Sequence, residues 1–292
     1  MKHNEGRDTL RNFMKVTVRY TLVISLFAFV PATWAEWLPR PDHVVVVIEE
    51  NRGYSQIMDK LKSDSYIHML AKRGALFSQS YGVSHPSQPN YLALFSGSAQ
   101  GITSNACPYT FDSDNLATRL MDSGLSFASY AESLPKVGDM VCTSGAYQRK
   151  HNPVANWQGA RLSAEMNKRF SDFPQNFSDL PTVSFIIPDQ NHDMHDGSFY
   201  VADEWLKTYI APYVDWAMQH NSLLILTWDE DNYLEENRIV TLLVGPMIKH
   251  VKSDRHINHY NVLRTLLDFY NLPPLGADLD AEAIKGVWKK HN

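Results

Sequence analysis

The sequence predicts an α/β protein, a three-layer α/β/α sandwich built around a mainly parallel sheet. Four short runs, His43–Glu49, Thr182–Ile187, Ser222–Thr227 and Ile239–Val244, are continuously apolar, as strands buried on both faces must be. Helical stretches fall between the runs, and strands alternating with helices imply crossovers and therefore parallel pairing. Three of the chain's apolar runs also end abruptly in polar residues, at Glu49-Glu50-Asn51, at Pro188-Asp189 and at Trp228-Asp229-Glu230-Asp231. Open α/β sheets bind ligands beyond the carboxyl ends of their strands, so these clusters are expected to meet in one crevice.

The chain opens with Lys15 and Arg19, then the apolar stretch Tyr20–Val30, then Pro31 and the small residues leading to Ala35. This reads as a secretory signal cut after Ala35, with residues 36–292 as a single domain; Met14 begins a more typical signal than Met1. An uncleaved anchor or a buried first helix is the alternative, but a membrane span needs about 20 apolar residues. Export implies a secreted or periplasmic protein with no stable membrane span once the signal is gone. Of 292 residues, 27 are basic and 32 acidic, so the net charge of −5 excludes binding to nucleic acid through overall charge. Hydrophobic residues at 44% exclude disorder.

After the first strand, helices are expected over 57–73, 89–95, 114–123 and 161–170. The second strand leads to a helix over 199–219, and the last two strands to one over 258–270. Cys107 and Cys142 are the only cysteines. In an exported chain they are expected to be bridged; two separate buried thiols are the alternative.

Three groups of residues carry chemistry. Glu50, Asn51, Asp229 and Glu230 form two adjacent oxygen-bearing pairs at two strand ends, and a hard divalent cation is the usual reason to pack carboxylates together. Mg²⁺, Ca²⁺ or Mn²⁺ suits such a set, and nearby histidines would favour Zn²⁺. Solvated loop acids are the plainer alternative. The run Pro188–Gly197 holds Asp189, His192, Asp193, His195 and Asp196, a density of groups suited to metal ligation or acid–base work. Ser84–Tyr91 places Ser87 between two prolines at a helix entrance, where free amide groups suit a phosphoryl oxygen. A simple N-cap serine is the other reading.

These motifs resemble those of a bacterial phosphoesterase family that includes secreted acid phosphatases and phospholipases C. The matching segments are Glu50-Asn51-Arg52, His85–Tyr91, Tyr147–Pro153, Asp193–Gly197, Trp228–Glu230 and His259–Arg264, in the family's order from about residue 43 to 272. The resemblance implies the alkaline-phosphatase-like fold, with Ser87 as nucleophile and Asn90 as donor to a non-bridging phosphoryl oxygen. It implies metal ligation by Glu50, Asn51, Asp229 and Glu230, with Asp193 alongside. His195 would protonate the leaving group or stabilise the transition state. Arg149, Lys150 and His151 would line the phosphate pocket, with His259 near the substrate. Asp189 and His192 depart from the family's asparagines.

The resulting expectation is an exported, metal-dependent phosphatase acting on a small phosphorylated substrate or a phospholipid headgroup through a phosphoserine. A phospholipase C cleaving phospholipid diesters is one alternative; a catalytically inactive phosphate- or lipid-binding module is another. The arginine that a sulfatase nucleophile motif requires is replaced here by Tyr91.

Overall fold

In the computed structural model, which describes residues 37–290, the first apolar run forms β1 (His43–Glu49), buried from Val44 onward. The chain continues through α1 (Tyr54–Met58), α2 (Tyr66–Arg73), β2 (Ala75–Tyr81), α3 (Ser87–Ser96), α4 (Leu116–Asp122) and β3 (Phe127–Ala131). A small hairpin of β4 (Thr143–Ser144) and β5 (Tyr147–Gln148) precedes β6 (Asn167–Arg169) and β7 (Val183–Ile187). Then come α5 (Phe199–Tyr209), α6 (Ala211–Ala217), β8 (Ser222–Trp228), β9 (Arg238–Val244), β10 (Val251–Asn258) and α7 (His259–Phe269).

The main sheet has the order β10-β2-β9-β8-β1-β7-β3-β6, and β9 alone runs antiparallel to its neighbours. Side chains alternate across a strand, so Val44, Val46 and Ile48 pack on one face with α3, α4 and α7. Val45 and Val47 pack on the other with α1, α2, α5 and α6. This is the expected three-layer sandwich. The pairing Glu49↔Trp228 sets Glu50 and Asp229 side by side just beyond the sheet.

The structure departs from the expected elements where tertiary contacts override local pattern. The stretch 57–73 breaks into two helices, and Ser65 caps the second by accepting from His68 N at 3.3 Å. The stretch 199–219 is likewise two helices, divided just before Pro212, which lacks an N–H to continue the ladder. The helix expected over 161–170 does not form. Asn167 is buried there, donating to Asp139 O and Gln158 Oε1, and residues 167–169 extend the sheet as β6.

The signal sequence over 1–35 lies outside the described residues. Among the described residues no helix is long and apolar enough to cross a membrane. Cys107 and Cys142 are bridged, a link of sequence separation 35. A loop of that size adds about 4 kcal/mol in the chain-entropy account.

Candidate active site

Ser87 is the first residue of α3, a helix buried along its whole length. Its hydroxyl lies 3.1 Å from both Glu50 Oε2 and Glu230 Oε1, each on a loop leaving a central strand. The site therefore forms where three elements end: the start of α3, the end of β1 and the end of β8. One helical turn on from Ser87, Tyr91 donates its hydroxyl to Glu50 Oε1 at 2.8 Å. Asn51 N donates to Asp229 Oδ1 at 2.9 Å, and the Asn51 backbone takes φ 56. That left-handed conformation disfavours most residues and is tolerated best by Asn among those with a side chain.

Glu50, Asp193, Asp229 and Glu230 are all buried at this point. Burial raises the pKa of each carboxyl, and the neighbouring carboxylates push Glu50 and Glu230 further in the same direction. Meanwhile Asn51 Oδ1, Asp193 Oδ2 and Asp229 Oδ2 are buried with no hydrogen-bond partner. Buried lone pairs without donors, packed among like charges, are costly in a protein alone. The same set is a fitting cradle for a hard divalent cation, which the alkaline-phosphatase-like fold implies. Glu50, Asn51, Asp229 and Glu230, the residues expected to hold a metal, carry oxygens of this set. Asp193 closes the cluster: its backbone oxygen accepts Glu50 N at 2.8 Å.

Four of the expected site residues take other positions or tasks. His151 does not face an open pocket. It is buried and stacked on Tyr91 at 5.2 Å, with Nε2 3.0 Å from Glu50 Oε1 and Nδ1 3.4 Å from Asp193 Oδ2. Its Nε2 lacks an aligned partner, and burial holds the ring well below the usual imidazole pKa, hence neutral. Arg149 does not line the pocket either. Its guanidinium is buried and donates to Met140 O, Tyr109 O, Ala155 O and Asn156 Oδ1, so it staples the disulfide-closed segment. Asn90 does not offer its amide to a phosphoryl oxygen: Oδ1 accepts Val83 N and Ser84 N, and Nδ2 donates to Ser84 O, bracing the turn before Ser87. His259 is buried behind the site with Nε2 2.6 Å from Asp229 O, where it positions the strand end; burial pushes its pKa down to about 4.

Lys150 is the partly exposed member of the triplet, between buried Arg149 and His151. Among the described residues its amine has no hydrogen bond or ion pair, yet its charge lowers the pKa of Glu50, Asp193 and Glu230. At the mouth, His195 is partly exposed with Nδ1 2.7 Å from Asp196 Oδ1, which leaves Nε2 open to a ligand. Between Asp193 and His195, Met194 takes φ 76 with its side chain anchored in the core.

Sequence reasoning gave no role to His85, although it lies in the Ser87 motif. His85 Nδ1 is 2.8 Å from Glu230 Oε2 and Nε2 is 3.1 Å from Asp231 Oδ1, while Tyr233 stacks on the ring at 3.9 Å. Tyr91 was readable in principle, since positions four apart share a helix face. A second cluster, Glu132, Asp189 and His192, brings its ligand atoms within 4.8 Å of one another. Asp189 and His192 belong there and not beside Ser87. Glu49 is fully buried with neither oxygen partnered, and burial raises its pKa well above the usual carboxyl value.

The model of the Phosphoesterase family matches residues 60–273. A phosphatidylinositol-3-phosphatase of Mycobacterium tuberculosis is 43% identical over 257 residues, covering 87% of this chain and 85% of that protein. A phosphate-repressible acid phosphatase of Penicillium chrysogenum is 30% identical over 245 residues, which are 78% of this chain and 60% of the fungal one. Among solved structures, an alkaline phosphatase superfamily protein of Vibrio parahaemolyticus superposes with a TM-score of 0.58 at 15% identity, covering 85% of this chain and 72% of that one.

Proposed function

This chain belongs to the Phosphoesterase family and is a hydrolase of phosphoric ester bonds, and from that premise we propose an exported, metal-dependent phosphomonoesterase that works through a phosphoserine at Ser87. Its substrate is the phosphomonoester of a phospholipid headgroup, the class named for the mycobacterial relative. The observation that carries this reading is the Ser87 hydroxyl, held 3.1 Å from two buried carboxylates at a helix N-terminus.

A divalent cation held by Glu50, Asn51, Asp229 and Glu230 would neutralise phosphoryl charge and favour ionised Ser87. Every other task falls to the chain's own groups. The start of α3 aims Ser87 Oγ at phosphorus and lends the positive end of the helix dipole. As the Oγ–P bond forms, the ester oxygen leaves with its electron pair. The serine proton passes to a carboxylate oxygen that already accepts it, Glu50 Oε2 or Glu230 Oε1. His195 Nε2 gives a proton to the leaving oxygen, then takes one from the water that attacks the phosphoserine. That second displacement releases phosphate and restores Ser87. Lys150 pairs with non-bridging oxygens throughout.

The test is turnover of p-nitrophenyl phosphate, bis-p-nitrophenyl phosphate and a phosphoinositide, with chelator and after adding back single metals. Metal-restored monoester hydrolysis is expected. Preferential diester cleavage would point to a phospholipase C, and silence with every metal would point to a binding module.

A further inference from the structure

Ser87 Oγ faces two carboxylates, Glu50 and Glu230, and each carboxylate is held from behind by its second oxygen. Glu50 Oε1 accepts the Tyr91 hydroxyl at 2.8 Å and lies 3.0 Å from His151 Nε2, both rings being buried. Glu230 is held differently. Among the described residues, the only side-chain partner of its Oε2 is His85 Nδ1, at 2.8 Å. The His85 side chain is 22% exposed, and Tyr233, stacked on its ring at 3.9 Å, is 66% exposed.

The imidazole is itself fixed by Glu230, by Tyr233 and by Asp231, whose Oδ1 lies 3.1 Å from Nε2. Asp231 cannot follow a moving ring. It is buried, and its carboxylate accepts the backbone N–H groups of Tyr233, Leu234 and Glu235. The same loop is laced to the chain just before His85: Asn237 Oδ1 accepts Asp231 N at 2.9 Å, and its Nδ2 donates to Ser84 O at 2.9 Å. The segments that carry Glu230 and Ser87 are thus joined at Asn237 and again at His85. Both ring nitrogens of His85 are engaged by carboxylates, which leaves no N–H for a substrate. A glutamate side chain loses conformational entropy when it is fixed, and a partner that fixes it beforehand removes that cost from the reaction.

We propose that His85 is a positioning residue, covered by Tyr233, that holds Glu230 with Oε1 facing the Ser87 hydroxyl. The proposal rests on the nucleophile reading above and deepens it: the carboxylate beside Ser87 is oriented from the Tyr233 side of the site.

Three substitutions separate the hydrogen bond from the packing. His85→Asn keeps a donor near the Nδ1 position, His85→Phe keeps a ring against Tyr233 without a nitrogen, and His85→Ala keeps neither. With p-nitrophenyl phosphate and saturating Mn²⁺, the Phe and Ala variants are expected to lose about tenfold to a hundredfold in kcat, with KM within about twofold of wild type. His85→Asn is expected to recover most of that loss. Binding of Mn²⁺ alone, read by electron paramagnetic resonance, is expected to weaken in the same order. Tyr233→Ala, altered at an exposed position, tests the link should the His85 variants fail to fold, and a smaller loss of kcat at unchanged KM is expected. Wild-type kcat in His85→Phe, or a His85→Asn variant as impaired as His85→Phe, would overturn the proposal. So would wild-type kcat in Tyr233→Ala. Turnover that survives Ser87→Ala would remove the nucleophile reading and this proposal with it, whereas turnover that needs Ser87 and ignores His85 would remove the positioning role alone.

Discussion

Two groups of carboxylates and histidines lie on the same end of the sheet, and they differ in how their oxygens are satisfied. Around Ser87, the carboxylates of Glu50, Asp193, Asp229 and Glu230 crowd together while Asn51, Asp193 and Asp229 each keep a buried oxygen without a donor. Around His192, the oxygens have donors. Glu132 accepts from Trp205 Nε1 and Asp189 N, and Asp189 accepts from Ser133 Oγ and Asn191 N. His192 Nδ1 sits 2.9 Å from Glu132 Oε2. Four carboxylates meet around Ser87 and two around His192. What also separates them is that the His192 group has its oxygens answered within the protein, while the Ser87 group does not.

Mutations can break that contrast. The largest effect is expected at Ser87: alanine there should lower kcat/KM at least about a thousandfold, roughly 4 kcal/mol of transition-state stabilisation, with little change in Tm. An N-capping serine would instead lose about 1 kcal/mol of stability and keep turnover. Glu50→Ala and Asp229→Ala should each empty the site of metal and abolish metal-dependent turnover, as read by elemental analysis of purified protein. Glu132→Gln and Asp189→Asn should keep metal and most activity while losing about 1–3 kcal/mol of stability in denaturant unfolding. The reverse pattern would exchange the roles of the two clusters.

The basic triplet offers a finer version of the same contrast. Lys150→Ala is expected to raise KM about tenfold with Tm unmoved, as for a charge that meets only substrate. Arg149→Ala is expected to leave KM alone and destabilise the fold by about 3 kcal/mol, since its buried acceptors lose their donor. Steady-state kinetics beside thermal melts separates the two.

The smallest effect is a pH trend. Glu50, Asp193 and Glu230 have folded-state pKa values raised above the unfolded ones. Groups of this kind add stability at low pH and lose it as pH rises through their folded pKa. In metal-free protein the cluster is therefore most destabilising near neutral pH, where a cation has most to offset. The rise in Tm on adding metal should shrink as pH falls from about 8 to about 5. A rise that grows on acidification would contradict the account.

Much of the fold was legible because β1, β7, β8 and β9 are central strands, and burial on both faces writes a continuous apolar run. β2 and β3 were not, since Ala75–Tyr81 and Phe127–Ala131 contain no β-branched residue. β10 is an edge strand whose Lys252, Asp254 and Arg255 hide it from a hydrophobic reading. In the site, Glu50, Asn51, Asp229 and Glu230 could be read because adjacent polar residues after a buried strand have one place to go. Arg149 and Lys150 could not be told apart, because neighbours in a short 3₁₀ turn point in different directions and only packing decides which is buried. Asn90 and His259 were assigned to the substrate, yet each bonds a backbone segment that carries a functional residue. Sequence motifs mark such supporting positions no differently from the groups that touch the reacting atoms.

The central claim, that Ser87 attacks phosphorus, is tested most directly by trapping. The protein is mixed with a phosphomonoester, quenched in acid during turnover and digested, and the peptides are mapped by mass spectrometry. Phosphate on the peptide containing Ser87, absent from Ser87→Ala, is the expected result. A wild-type enzyme that turns over at full rate while Ser87 stays unmodified would contradict it, and would assign the attack to water.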